Sequence, residues 1–297
     1  MTRKLERVDY SRVFTKQLKK SPLKIKEAFR KRREIFFENP FNPQLNNHQL
    51  MEPGIIFEDS EILVLDKPSG MIVNASDTTA GEKTVQEWVE TKVKSQKSKV
   101  KSDEESDFYK RAGIVHRLDK ETSGILLVAK NVESFDNLQR QFKERRVKKT
   151  YIALVHGKVE PTEGEINVAV GRLPWNRKRF GVIAGGREAV TKYKVLSIKY
   201  YVLGNKNEPL TLLELYPKTG RTHQIRVHLK YFNHPIFADP LYAGRKTARN
   251  DRKLLPRIFL HASEILFLHP KTQKIVSFES PLPKELNDFL EILDSVN

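Results

Sequence analysis

The chain has 297 residues, 38% of them hydrophobic, and a formal net charge of +17, enough to bury one large core or two modest ones. That excess of lysine and arginine calls for a polyanionic partner, nucleic acid first, although charge alone leaves an anionic membrane or a merely soluble basic protein open. With no cysteine, disulfides and thiolate metal sites are excluded and the reducing cytoplasm fits; no run approaches the roughly eighteen apolar residues of a membrane span, and no apolar signal core opens the chain.

Residues 1–50 read as a basic helical hairpin. Ser11 can cap a helix carrying Phe14 and Leu18, and Ser21-Pro22 restarts one carrying Ile25, Phe29 and Phe36. Asn39-Pro40 stops it. The cations here, Lys31-Arg32-Arg33 among them, suit an RNA-gripping face and a solvated face equally.

From Gly54 the pattern turns to strands and a second domain, residues 51–297, begins. Ile55–Phe57, the polar turn Glu58–Glu61 and Ile62–Leu65 predict a β-hairpin. Lys67-Pro68-Ser69-Gly70 then turns the chain sharply, since proline fixes φ and glycine tolerates a positive one. Thr84–Val93 predicts a helix bearing Val85, Trp88 and Val89. Residues 94–107 are nearly all Lys, Ser, Glu and Asp; they cannot bury enough to order themselves, which predicts a flexible charged insertion.

Next comes a polar knot between apolar runs. Ile125–Ala129 predicts a buried strand, and the loop entering it holds His116, Arg117, Asp119, Thr122 and Ser123. Those residue types serve a purely structural turn as well as a loop that does chemistry. Asn131 caps a helix with Val132, Phe135, Leu138 and Phe142 on one face, and Lys143, Arg145 and Arg146 near its end suit the helix dipole. Lys148–Val155 enters another strand, where Tyr151 can be an ordinary strand aromatic.

Residues 166–203 read as hairpins, with a turn at Gly185-Gly186 and a long strand over Ala189–Val202. Between them Trp175–Phe180 is a basic loop interleaved with aromatics, suited to stacking on bases and gripping phosphates, or equally to a packed Trp with solvated neighbours. Thr211–Tyr216 is a strand. A helix from Thr222 puts Ile225, Leu229 and Phe232 on one side and His223, Arg226 and Lys230 opposite, which predicts a packed helix presenting a basic face. His223 and His228 are five apart and point away from each other on a helix, unlike an i, i+4 zinc pair, so no metal is expected. Strands at Ile265–Leu268 and Ile275–Phe278 precede a last helix turning Leu286, Phe289, Leu290 and Leu293 inward.

His116-Arg117-Leu118-Asp119 followed by Thr122-Ser123-Gly124 resembles the signature loop of the RluA family of pseudouridine synthases. The Lys67-Pro68-Ser69-Gly70 turn, Tyr151 behind its basic pair, Thr219–His228, and His234-Pro235-Ile236 with Asp239-Pro240-Leu241-Tyr242 continue the likeness in the family's order over about residues 54–282. The resemblance implies an α+β fold: a mixed, mostly antiparallel central sheet with flanking helices and a central catalytic cleft, here preceded by the helical hairpin. It further implies isomerisation of uridine to pseudouridine in structured ribosomal or transfer RNA, with the base flipped out, detached from ribose and reattached through carbon.

By that resemblance Asp119 is the catalytic carboxylate, acting as nucleophile or as base. Arg226 is its ion-pair partner, and Tyr151 stacks on the base and helps remove the C5 proton. Arg117 fills the space the base vacates, and His116, Lys67 and Arg221 also contact substrate. RNA is the implied partner, with no cofactor, metal, membrane or obligate protein partner.

Residues 1–50, with Phe41-Asn42-Pro43 and His48, resemble the helical first half of RelE-like ribosome-dependent ribonuclease toxins. No strands of the kind that carry those toxins' functional residues follow, so the likeness implies at most a remnant or an appended RNA-contacting hairpin. Two alternatives belong to other classes: an RNA-binding protein that has lost catalysis, which the presence of Asp119, Tyr151 and Arg226 argues against, and a ribonuclease or toxin-like module.

Overall fold

The computed structural model describes residues 52–75, 82–94, 106–177, 179–203 and 206–294. The hairpin expected over 1–50 and most of the insertion expected over 94–107 lie outside the described residues. The first β-hairpin forms as β1 (Gly54–Glu58) and β2 (Ile62–Lys67). Its turn is set by Asp59, whose carboxylate accepts the N–H groups of Glu61 and Ile62, both at 2.8 Å.

After α1 (Val85–Lys94) and the single turn α2 (Asp107–Lys110), β3 (Ser123–Ala129) is buried along its whole length. Both of its faces are covered, which explains its uninterrupted apolar run. Ile125, Leu127 and Ala129 meet Phe135 and Leu138 of α3 (Val132–Lys143), while Leu126 and Val128 join the main core. The expected cap is present: the Asn131 side chain accepts the Ser134 N–H at 2.8 Å, satisfying a donor the helix leaves open.

The remaining elements are β4 (Lys148–His156), β5 (Glu163–Asn167), β6 (Val170–Arg172), β7 (Phe180–Val182), β8 (Val190–Leu203), β9 (Lys206–Pro217), α4 (Gln224–Tyr231), α5 (Arg245–Asp251), β10 (Leu260–Leu268), β11 (Ile275–Glu279) and α6 (Lys284–Asp294). Among the described residues a nine-stranded sheet runs β1-β2-β3-β10-β4-β9-β8-β5, with β11 paired to β10. Only β3 and β10 pair in parallel, through His261↔Ser123 and Ala262↔Gly124. The mixed, mostly antiparallel sheet is therefore as expected. Strands β6 and β7 form a separate ribbon packed on Val227 of α4 and on Tyr242.

Gly124 marks the seam between β3 and β10. Its φ is +108°, and a Cβ there would lie 2.1 Å from the Ala262 carbonyl oxygen, so only glycine lets the two backbones meet. In the main core, Phe289 of α6 packs on Phe237 with ring centroids 4.9 Å apart. No described helix is long and apolar enough to cross a membrane.

Candidate active site

The polar loop between α2 and β3 forms one wall of a cleft of about 880 Å³, lined also by Lys149 and Tyr151 of β4, by Arg221 and His223, and by Arg226 of α4. Thr122 N–H bonds the Asp119 carbonyl at 3.1 Å and closes the loop on itself. The turn after β2 clasps it from outside: Gly70 N–H donates to Lys120 O at 2.8 Å, and Ser69 Oγ to Glu121 O at 2.7 Å.

Lys67 belongs to this clasp and not, as expected, to the groups that contact substrate. It is 0% exposed, and its Nζ donates to the carbonyls of Pro68 at 2.8 Å, Met71 at 2.7 Å and Lys120 at 3.0 Å. Burial, and then the charge of Arg257, pull its pKa down to about 7. Three carbonyl acceptors match the three donors of an ammonium, so the side chain is consumed in holding the loop.

Arg226 is the pivot. Its Nη1 donates to Asp119 Oδ2 at 3.2 Å, while Nε and Nη2 form a fork on Asp239 at 2.8 and 2.9 Å. Asp239 is itself fixed, because Oδ1 also accepts the N–H groups of Leu241 and Tyr242. Burial opposes the guanidinium's charge, but the bonds and charge of Asp239, with Asp119 beside it, hold its pKa above the ordinary arginine value. The Asp119 side chain keeps 20% exposure, so the carboxylate is both paired and open to the cleft.

The basic face expected on α4 is not what forms. His223 takes a left-handed φ of 57° and precedes the helix, which begins at Gln224. Arg226 is buried, and of the three predicted cations Lys230 alone is exposed. His228 is buried too, with its ring nitrogens on Thr191 Oγ1 at 3.0 Å and Val168 O at 3.1 Å. His223 instead turns to the cleft, Nε2 3.9 Å from Asp119 and Nδ1 2.9 Å from the Tyr242 hydroxyl. Burial lowers its pKa, opposed by Asp119.

Tyr151, opposite Leu215 of β9 and Ala262 of β10, reaches the same cleft. Burial, and then the neighbouring Asp119, push its phenol well above the ordinary tyrosine range, so it stays neutral. His116 lines the cleft, but its Nε2 accepts the Leu127 N–H at 3.0 Å and its ring stacks on Phe142 with centroids 5.0 Å apart. Arg117 is exposed at the cleft and Arg221 lines it, Nε donating to Glu188 O at 3.1 Å. Reading by residue type passed over Asp239, Tyr242, His223 and Lys149. The Asp-Pro-Leu-Tyr string was the one signal available for the first two.

A cleft walled by cations, with a single accessible carboxylate held by a buried arginine beneath a neutral phenol, defines an enzyme that acts on an anionic substrate through an aspartate. Residues 61–231 match the model of the RNA pseudouridylate synthase family, and the chain belongs to that family. It is similar to the ribosomal large subunit pseudouridine synthase D of Neisseria meningitidis serogroup B, 38% identical over 250 residues, 82% of this chain and 62% of that protein. The chain thus spans a little under two thirds of that relative's length. An uncharacterized RNA pseudouridine synthase of Aquifex aeolicus is 36% identical over 291 residues, 93% of this chain and 87% of that protein. Among solved structures, human RNA pseudouridylate synthase domain containing 1 superposes with a TM-score of 0.59 at 25% identity, covering 84% of this chain and 98% of that one. The family match begins at residue 61, so it lends nothing to the RelE-like reading of residues 1–50.

Proposed function

We propose that the chain converts uridine to pseudouridine in structured RNA and belongs to the RluA branch of its family. The observation that carries this is the Asp119 carboxylate, open to the cleft and held by Arg226 at 3.2 Å. The reaction breaks the N1–C1′ bond, forms a C5–C1′ bond, removes the C5 proton and returns a proton to N1, so it is redox-neutral. Ionised Asp119 has two routes: attack on ribose C1′, or removal of the C2′ proton. Arg226 keeps it charged and oriented in either case.

Tyr151 takes the role of a stacking platform for the flipped uracil, and its raised pKa disfavours a phenolate that would take the C5 proton directly. Arg117 fills the space left in the RNA, which offsets part of the few kcal/mol that flipping costs. Arg221 supplies charge to the phosphates, and Lys149, whose pKa burial lowers to about 8, adds to it from within the cleft. The names of the relatives support ribosomal RNA as substrate, with transfer RNA as the other substrate to test. We further place the protein in the cytoplasm, and read residues 1–50 as a basic RNA-contacting segment beside the catalytic domain at 51–297.

The experiment is incubation of the full chain with unmodified large-subunit ribosomal RNA and transfer RNA transcripts. Intact, isomerised RNA supports the assignment; shortened strands would make the chain a nuclease, and bound but unchanged RNA a binding protein.

A further inference from the structure

A second cavity, of about 280 Å³, is walled by Arg179, Pro240, Arg245, Ala248, Arg249 and Arg252. Four of its six lining residues are arginines and none is acidic. One arginine is already engaged: Arg252 donates from Nε to Ala238 O at 3.0 Å and from Nη2 to Glu121. The side chains of Arg179, Arg245 and Arg249 have no hydrogen bond or ion pair to a described residue. Like charges gathered in a concavity repel one another unless an anion enters between them.

The walls of this cavity are tied to the aspartate site through neighbouring residues. Pro240 follows Asp239, the residue that forks Arg226, and Arg252 reaches Glu121, two positions beyond Asp119. Arg179 precedes Phe180, whose N–H donates to the Tyr242 hydroxyl at 3.1 Å. The loop carrying Arg179 also holds Trp175, 78% exposed, in position for an unstacked base.

We propose that this arginine-walled cavity binds backbone phosphate of the substrate RNA flanking the everted uridine. The inference rests on the synthase reading above for the identity of the RNA, not for the anion. Guanidinium forks fit phosphate oxygens, and among the described residues no carboxylate lines the cavity, Glu121 being held by Arg252 at its edge. An acidic protein segment is the competing occupant, and the test below separates it.

The test compares the full chain with Arg245→Ala/Arg249→Ala, using unmodified large-subunit ribosomal RNA and transfer RNA transcripts as probes. Binding is measured across a salt series and pseudouridine formation as kcat and KM. The expected result is a slope of log affinity against log salt shallower by about 2, since each lost phosphate contact removes close to one unit. KM rises by about tenfold or more at 0.1 M salt, as follows from losing such contacts. Arg245→Lys/Arg249→Lys recovers most of the affinity, because a point charge also meets a phosphate.

An unchanged salt slope and KM in a variant of wild-type thermal stability overturn the proposal, and would leave the cavity to an acidic protein partner. A fall in kcat at unchanged affinity also overturns it, making these residues a support for Asp239. If the double variant does not fold, Arg179→Ala on the facing loop is read by the same criteria. A wild-type chain that converts neither RNA, with affinity still falling in the variant, defeats the synthase reading and leaves the phosphate cavity standing.

Discussion

Arg226 and Asp239 form a two-bond fork, Nε to Oδ2 at 2.8 Å and Nη2 to Oδ1 at 2.9 Å, which leaves Nη1 as the nitrogen that reaches Asp119. The arginine is therefore aimed before any substrate arrives. Its orientation comes from a carboxylate thirteen residues along the chain, not from the one it serves.

Asp239→Asn keeps an oxygen for the Leu241 and Tyr242 N–H groups but removes half of a buried ion pair. Breaking such a pair costs about 3–5 kcal/mol. We expect a lower denaturation midpoint and reduced pseudouridine formation, read by chemical unfolding and by turnover. Wild-type values for both would show that the fork is dispensable.

In Asp119→Asn the shape of the loop survives and the charge does not. Pseudouridine formation falls by about 10⁴-fold or more, on the scale of removing a central catalytic group, while RNA affinity stays within a few-fold. Retained turnover in that variant refutes the assignment of Asp119.

Tyr151→Phe tests whether the phenol oxygen or the ring matters. With a pKa held high by burial, the hydroxyl is expected to act as a positioned neutral group, and its loss to lower kcat by about 10²-fold with RNA affinity preserved. Tyr151→Ala, which removes the platform itself, should also raise KM. Equal defects in both variants would show that the ring does not stack on substrate.

Lys67→Met removes the donor from three carbonyls and leaves Pro68 O and Met71 O without a partner, while Lys120 O keeps the Gly70 N–H. Each unsatisfied buried group costs about 1–3 kcal/mol, so the variant should be destabilised by at least about 2 kcal/mol in urea titration. The salt slope of RNA binding should not change. A shallower slope with unchanged stability would return Lys67 to the substrate contacts it was first expected to make.

Acid should loosen the catalytic loop through His116. Burial, then Lys149, take its pKa from 6.5 to about 3, so the folded state favours the neutral ring, whose Nε2 accepts the Leu127 N–H. The folded pKa is the lower one, so the stabilisation is present above pH 6.5 and is lost as pH falls towards 3, at up to about 1.4 kcal/mol per pH unit. His116→Gln, which can still accept but does not titrate, should show a shallower acid limb in thermal melts between those values. Superimposable limbs would show that His116 does not control it.

Much of the framework is written locally. The cap at Asn131, the apolar stripe of α3 and the continuous run of β3 each follow from neighbours within a few residues, and the loop of Asp119 carried its resemblance in one short string. What escaped depends on distance or on backbone choice. His223 was assigned to a helical face, but a left-handed φ removes it from the helix, and periodicity carries no sign of that. Arg226 looked like part of a solvent-facing basic row because Asp239, which draws it inward, arrives after the helix has ended. Lys67 was given a substrate contact by the resemblance; the three carbonyls that enclose it come from chain segments on both sides of the insertion.

Strand β10 is the sole bridge between the part of the sheet next to Asp119 and the part that supplies Tyr151, among the described residues. Of the described strands only β11 follows it in the chain. A chain cut short before Leu260 would hold the loop of Asp119 and the strand of Tyr151 on two pieces of sheet with no strand to join them, so the two walls of the cleft meet only once β10 is in place.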